Sequence, residues 1–83
     1  MLKVSVISPE RILFEGEVPS LVAPAFDGEV GILPQHAPMM TLLGSGELRL
    51  GAGGSAGRFF VQGGFLQVLR DEVRVVTEKA KVG

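Results

Sequence analysis

The chain has 83 residues, with eight Lys or Arg against nine Asp or Glu and no cysteine. That length fits one domain, residues 1–83, and the missing cysteines exclude disulfides and thiolate metal sites. A formal net charge of −1 spread along the chain offers no basic footprint for nucleic acid. The longest apolar run, Leu21 to Phe26, contains Pro24 and is far short of the ~20 residues that span a bilayer, so direct membrane insertion is not expected.

Twelve glycines and five prolines punctuate the chain, which favours short strands over helices. Leu2, Val4 and Val6 alternate with Lys3 and Ser5, a period of two that reads as a strand rather than a leader peptide. After Pro9-Glu10, Ile12, Phe14 and Val18 point one way while Glu15 and Glu17 point the other, with Gly16 as a candidate bulge. Leu21 to Phe26 suits a strand buried on both faces. Asp27-Gly28 forms a two-residue hairpin turn, and Glu29 to Leu33 is the return strand. Pro34 to Pro38 cannot be regular structure, because its two prolines lack amide donors and restrict their predecessors.

Met39 to Leu43 resumes an apolar strand, and Gly44-Ser45-Gly46 turns into Glu47 to Leu50. Residues 51–57 read as a mobile glycine-rich hairpin tip. Strands follow at Arg58 to Gln62 and Phe65 to Leu69, separated by a turn or bulge at Gly63-Gly64. Arg70-Asp71-Glu72 turns the chain into a last strand carrying Val73, Val75 and Thr77, and the tail from Lys79 to Gly83 is too short for a stable helix. Eight to ten short strands at this spacing predict an all-β sandwich or barrel.

Chemistry has few candidates. His36 is the only histidine and sits in the proline loop without a signature for a nucleophile or an orienting acid. Glu15 and Glu17 share a strand face, the pattern of a solvated surface rather than an acid–base pair. Gly51, Gly53 and Ala56 match a loose dinucleotide pattern, but a strand follows where a helix must open to receive the pyrophosphate. No catalytic residue, metal or cofactor is expected. The stiff stretch from Asp27 to Pro38 is equally a shaped contact loop and a rigid corner closing the sandwich. In Met39 to Leu43 one apolar face should fill the core, and the other needs cover from the sheet or a partner.

Gly28, Glu29, Gly31, Ile32, Pro34, His36, Ala37 and Pro38 occupy every fixed position of Gly-Glu-apolar-Gly-Ile-apolar-Pro-x-His-Ala-Pro. That segment resembles the one typical of epsilon subunits of F-type ATP synthases. Leu2 to Glu10, Phe14-Glu15-Gly16, Thr41 to Leu43 with Gly46, and Gly63 to Val68 are also similar, with Gln67 replacing the family's usual acid.

The resemblance implies a ten-stranded β-sandwich of two antiparallel sheets. It implies a non-catalytic rotor subunit at the foot of the central stalk, coupling the gamma subunit to the polar loops of the membrane c-ring during proton-driven ATP synthesis. The expected partner interface is Glu29, Val30, Gly31, Ile32, Leu33, Pro34, Gln35, His36 and Pro38, with Glu29 and His36 at the end of the sandwich facing the ring and stalk, and Met40 and Leu42 toward gamma. The expected location is peripheral, on the cytoplasmic face of the bacterial inner membrane. The helical pair that usually follows the sandwich lies outside these 83 residues, so its inhibitory and nucleotide-binding properties are not carried over. A free-standing carbohydrate- or peptide-binding sandwich is the competing reading; it predicts exposed aromatics in a groove, for which Phe60 is the candidate.

Overall fold

The computed structural model describes residues 1–82. Its strands are β1 (Leu2–Ile7), β2 (Ile12–Val18), β3 (Leu21–Ala25), β4 (Gly28–Ile32), β5 (Met39–Leu42), β6 (Ser45–Leu50), β7 (Gly57–Leu69) and β8 (Glu72–Val82). They form one hydrogen-bonded path in the order β2-β1-β8-β7-β6-β3-β4, with β5 on β7. This corrects the expectation of ten strands in two antiparallel sheets: the described residues form eight, in one continuous sheet, and β1 runs parallel to β8.

The count falls because Gly63-Gly64 does not end a strand. β7 passes through it, pairing with β6 over Gly57–Gln62 and with β5 over Phe65–Val68, while β8 follows on the other side. The inward positions of β7 are Phe59 and Val61 before the glycines and Leu66 and Val68 after them, a slip of one residue in the alternation. β8 slips with it, from Val73, Val75 and Thr77 to the half-buried Ala80. The two long strands thus turn a corner together and serve both layers of the sandwich. Gly63 and Gly64 have φ of 73° and 103°, values that side-chain-bearing residues avoid. Leu43 N–H donates to Gly64 O at 2.9 Å and Gly44 N–H to Pro24 O at 2.8 Å, so the β5–β6 link turns at the same corner.

Between the layers lies a core of apolar side chains, aliphatic except for Phe59, from every strand but β5. Leu2, Val4 and Val6 of β1 meet Val73 and Val75 of β8, Leu66 and Val68 of β7, Leu48 and Leu50 of β6, Leu21 and Ala23 of β3, and Ile32 of β4. Each fully buried aliphatic side chain contributes ~1.5–3 kcal/mol. The one buried polar side chain among the described residues, Thr77, donates its hydroxyl to Lys79 O at 2.8 Å, which removes the cost of burying it.

Local expectations shift for physical reasons. Gly16 stays in register opposite Val4; the irregularity lies between Val6 and Ile7, and it turns Ile12 outward while Leu13 and Phe14 pack on the core. The β3–β4 turn is Phe26-Asp27, with Gly28 already paired to Ala25. The tip at 51–57 is a hydrogen-bonded 3-10 turn (Ala52–Gly54), with Arg58 Nη2 donating to Gly53 O at 2.7 Å. Lys79 to Val82 continues β8, and Gly83 lies outside the described residues.

Candidate functional site

The stretch with the strongest motif runs from β4 through the loop 33–38 into β5. β4 ends the sheet path and β5 pairs only with β7, so both are edge strands. Ile32 anchors the loop with its side chain wholly in the core, so of the expected interface residues it alone has no surface to offer. Val30 also packs inward and is half-buried. Glu29, Gly31 and Leu33 alternate onto the outer face and are exposed.

Pro34, Gln35 and Pro38 form the exposed crest of the loop, and His36 is half-buried. Gln35 has φ 67°, and its N–H donates to Asp71 Oδ1 at 2.6 Å. His36 turns back on the loop, its Nδ1–H donating to Ala37 O at 2.7 Å, which leaves Nε2 as the ring atom open to a partner. Glu29 is not beside His36. It follows Gly28 at the hairpin end of β4, while His36 lies beyond the opposite end.

Glu29 is also not a free carboxylate. Arg49 Nη2 donates to its Oε2 at 3.1 Å; Arg49 Nη1 donates to Glu47 Oε1 at 3.4 Å, and Arg58 approaches Glu47 at 3.9 Å. Two acids and two bases thus form a balanced ladder across β4, β6 and β7. Surface pairs of this kind contribute ~0–1 kcal/mol each.

β5 divides its residues by period two. Leu43, just beyond it, is buried and Met39 half-buried, while Met40 and Leu42 are both 63% exposed. Register places Leu42 opposite Phe65, Phe65 opposite Val76, Val76 opposite Ile7 and Ile7 opposite Ile12. These five apolar side chains make one unbroken row across five strands on an outer sheet face. The next row, Met40, Gln67, Arg74, Ser5 and Glu15, is polar apart from its first member. Ile7, Ile12, Phe65 and Val76 are not picked out by any local motif; an outward-facing apolar residue on each strand was the available signal, and only cross-strand register joins them.

An open groove of about 910 Å³ lies at the end of β1 and β8 away from Asp71, lined in part by Arg11, Phe60, Lys79 and Lys81. Phe60 is the one aromatic in it. Among the described residues there is no cluster of three His, Cys, Asp or Glu side chains that could hold a metal ion, and no helix long and apolar enough to cross a membrane. The geometry presents a shaped loop at one end and an apolar row on one face.

The family described as ATP synthase, Delta/Epsilon chain, beta-sandwich domain, matches residues 1–83. The ATP synthase epsilon chain of Leptospira borgpetersenii is 48% identical over 77 residues, covering 93% of this chain and 61% of the relative. That of Dehalococcoides mccartyi is 44% identical over 80 residues, 96% of this chain and 57% of the relative. The chain thus spans about three-fifths of the length of these relatives. Two solved structures share the fold. A chain of the Euglena gracilis mitochondrial ATP synthase OSCP/F1/c-ring structure gives a TM-score of 0.87 at 23% identity, covering 98% of this chain and 52% of that one. A chain of the Tetrahymena thermophila mitochondrial ATP synthase central stalk/c-ring structure gives 0.79 at 16% identity, covering 98% and 66%.

Proposed function

We propose that this chain, which belongs to the family of ATP synthase delta/epsilon-chain β-sandwich domains, is a non-catalytic rotor element of the central stalk. It would join the gamma subunit to the polar loops of the c-ring, so that proton-driven rotation of the ring reaches the catalytic subunits elsewhere in the complex. It would sit peripherally on the cytoplasmic face of the bacterial inner membrane, held by the ring and not by insertion.

The observation that carries this reading is the row Ile12, Ile7, Val76, Phe65 and Leu42. A connector needs two separate contact surfaces on one stiff body. The row, extended by Met40, supplies an apolar face suited to gamma. The loop crest of Leu33, Pro34, Gln35, His36 and Pro38 lies at an end and suits the polar loops of the ring. Val30 and Ile32 support that loop from inside; Gly31 and Glu29 continue its outer surface along β4. A standard interface takes ~800 Å² from each partner, about a sixth of the 4956 Å² surface here, so two such contacts fit on this small domain.

Torque transfer requires that the connector deform less than its contacts do. Continuous β7 and β8, threading both layers, provide that stiffness without long loops.

The test is complex formation with a bacterial gamma subunit, followed by size-exclusion chromatography with light scattering. The parent chain is expected to form a one-to-one complex. Ile12→Glu with Leu42→Glu, both at exposed ends of the row, is expected to weaken it at least ~100-fold, about 2.7 kcal/mol, while leaving the fold intact. No complex at tens of micromolar, with both proteins folded, would overturn the assignment.

A further inference from the structure

We propose that Asp71 is a positioning residue for the partner-facing loop 33–38, an inference that rests on the rotor reading above. Among the described residues, Gln35 N–H to Asp71 Oδ1, at 2.6 Å, is the one side-chain hydrogen bond between this loop and another element. The loop has little else to hold it. Pro34 and Pro38 have no N–H, and His36 spends its Nδ1–H on its neighbour Ala37. Gln35 meanwhile holds φ 67°, a conformation uncommon for a residue with a side chain.

Asp71 is well built for this role. It occupies the two-residue turn between β7 and β8 with φ 60°, and its carbonyl accepts Lys3 N–H at 2.8 Å. Its backbone is therefore pinned between β7, β8 and the start of β1, three central elements of the sheet. A carboxylate on that mount is a fixed, strong acceptor for a backbone N–H. Asp71 thereby ties the loop to the stiffest part of the sandwich, and the loop crest reaches its partner already shaped.

The experiment uses the 83-residue chain with two substitutions. Asp71→Gly takes φ 60° freely, so it removes the acceptor without straining the turn. Asp71→Asn keeps an acceptor oxygen and tolerates the same backbone. Three quantities are measured: amide exchange at Gln35, the urea midpoint, and affinity for a reconstituted bacterial gamma–c-ring subcomplex. Asp71→Gly is expected to speed exchange at Gln35 and weaken affinity, each about tenfold, with the urea midpoint unchanged; Asp71→Asn is expected to restore both. Exchange at Gln35 unchanged in Asp71→Gly overturns the role. So does faster exchange with parent-like affinity. If the parent chain itself binds no subcomplex, the rotor reading fails and this role falls with it, whereas an indifferent Asp71→Gly beside a binding parent overturns the role of Asp71 alone.

Discussion

Gly64 of β7 faces the carbonyl oxygen of Val76 on β8 so closely that a Cβ at Gly64 would occupy the space of that oxygen. The contact lies at the corner where both long strands change layer, and the chain there holds φ 103°. Gly64→Ala therefore combines a backbone clash with an unfavourable dihedral. Neither can relax through a side-chain rotation, because the obstacle is main chain hydrogen-bonded on both sides. We expect a loss above ~3 kcal/mol, enough to unfold a large fraction of a small domain. Urea denaturation of the variant against the parent checks it; a loss under ~1 kcal/mol would mean the corner is not a rigid feature.

Gly31 makes the opposite case. It lies in β4 without a positive φ, and a Cβ there meets nothing within 4 Å. The fold has no use for a glycine at this position. Gly31→Ala should stabilise the isolated chain by about 0.4–1 kcal/mol, by restricting the unfolded state. If a partner's surface rests against the outer face of β4, the same variant should weaken the complex while the free chain becomes more stable. Denaturation and gamma–c-ring affinity measured on one preparation separate these effects, and unchanged affinity would remove Gly31 from the interface.

Arg70 and Asp71 bridge Leu69 and Glu72 with φ of 50° and 60°. A two-residue turn with both φ positive suits Asn-Gly; Asp71 tolerates it, but a left-handed conformation costs an ordinary residue such as Arg70 ~1–2 kcal/mol. Arg70→Asn should therefore raise stability by ~0.5–1 kcal/mol, read as an upward shift of the urea midpoint at unchanged slope. A lowered midpoint would show that the Arg70 side chain supplies more than its backbone costs.

How far the sequence foretold these features depended on the range of the cause. Leu2, Val4 and Val6, or Val73, Val75 and Thr77, show their strands directly, because the pleat alone sets the period. Gly63-Gly64 left a turn and a bulge both open, because glycine both ends strands and lets one bend. The deciding sign was the slip from Phe59 and Val61 to Leu66 and Val68, which has meaning only if both halves belong to one strand. The motif from Gly28 to Pro38 located the loop, but the separation of Glu29 from His36 follows from the direction of β4. The row from Ile12 to Leu42 was least legible, since each member lies on a different strand and only hydrogen-bond register aligns them.

Glu29 and Arg49 test whether the charged ladder serves the fold or only its surface. Their 3.1 Å contact crosses over β3 between strands that are not neighbours, and both side chains reach solvent. Solvent screening limits such a pair, while holding two long side chains together costs rotamer entropy. Glu29→Gln and Arg49→Gln should each shift stability by less than ~1 kcal/mol, with a coupling of ~0.2–1 kcal/mol in the double-mutant cycle. The coupling should shrink as salt rises above about 0.15 M, where the Debye length falls below ~8 Å. Partner binding should respond differently. Because Arg49 already neutralises Glu29, a cation from the ring's loops can use only the free Oε1, and Arg49→Gln would release the whole carboxylate to it. We therefore expect Arg49→Gln to tighten binding to the gamma–c-ring subcomplex at low salt and Glu29→Gln to weaken it. Weakening by both substitutions alike would instead mean that the partner recognises the intact pair.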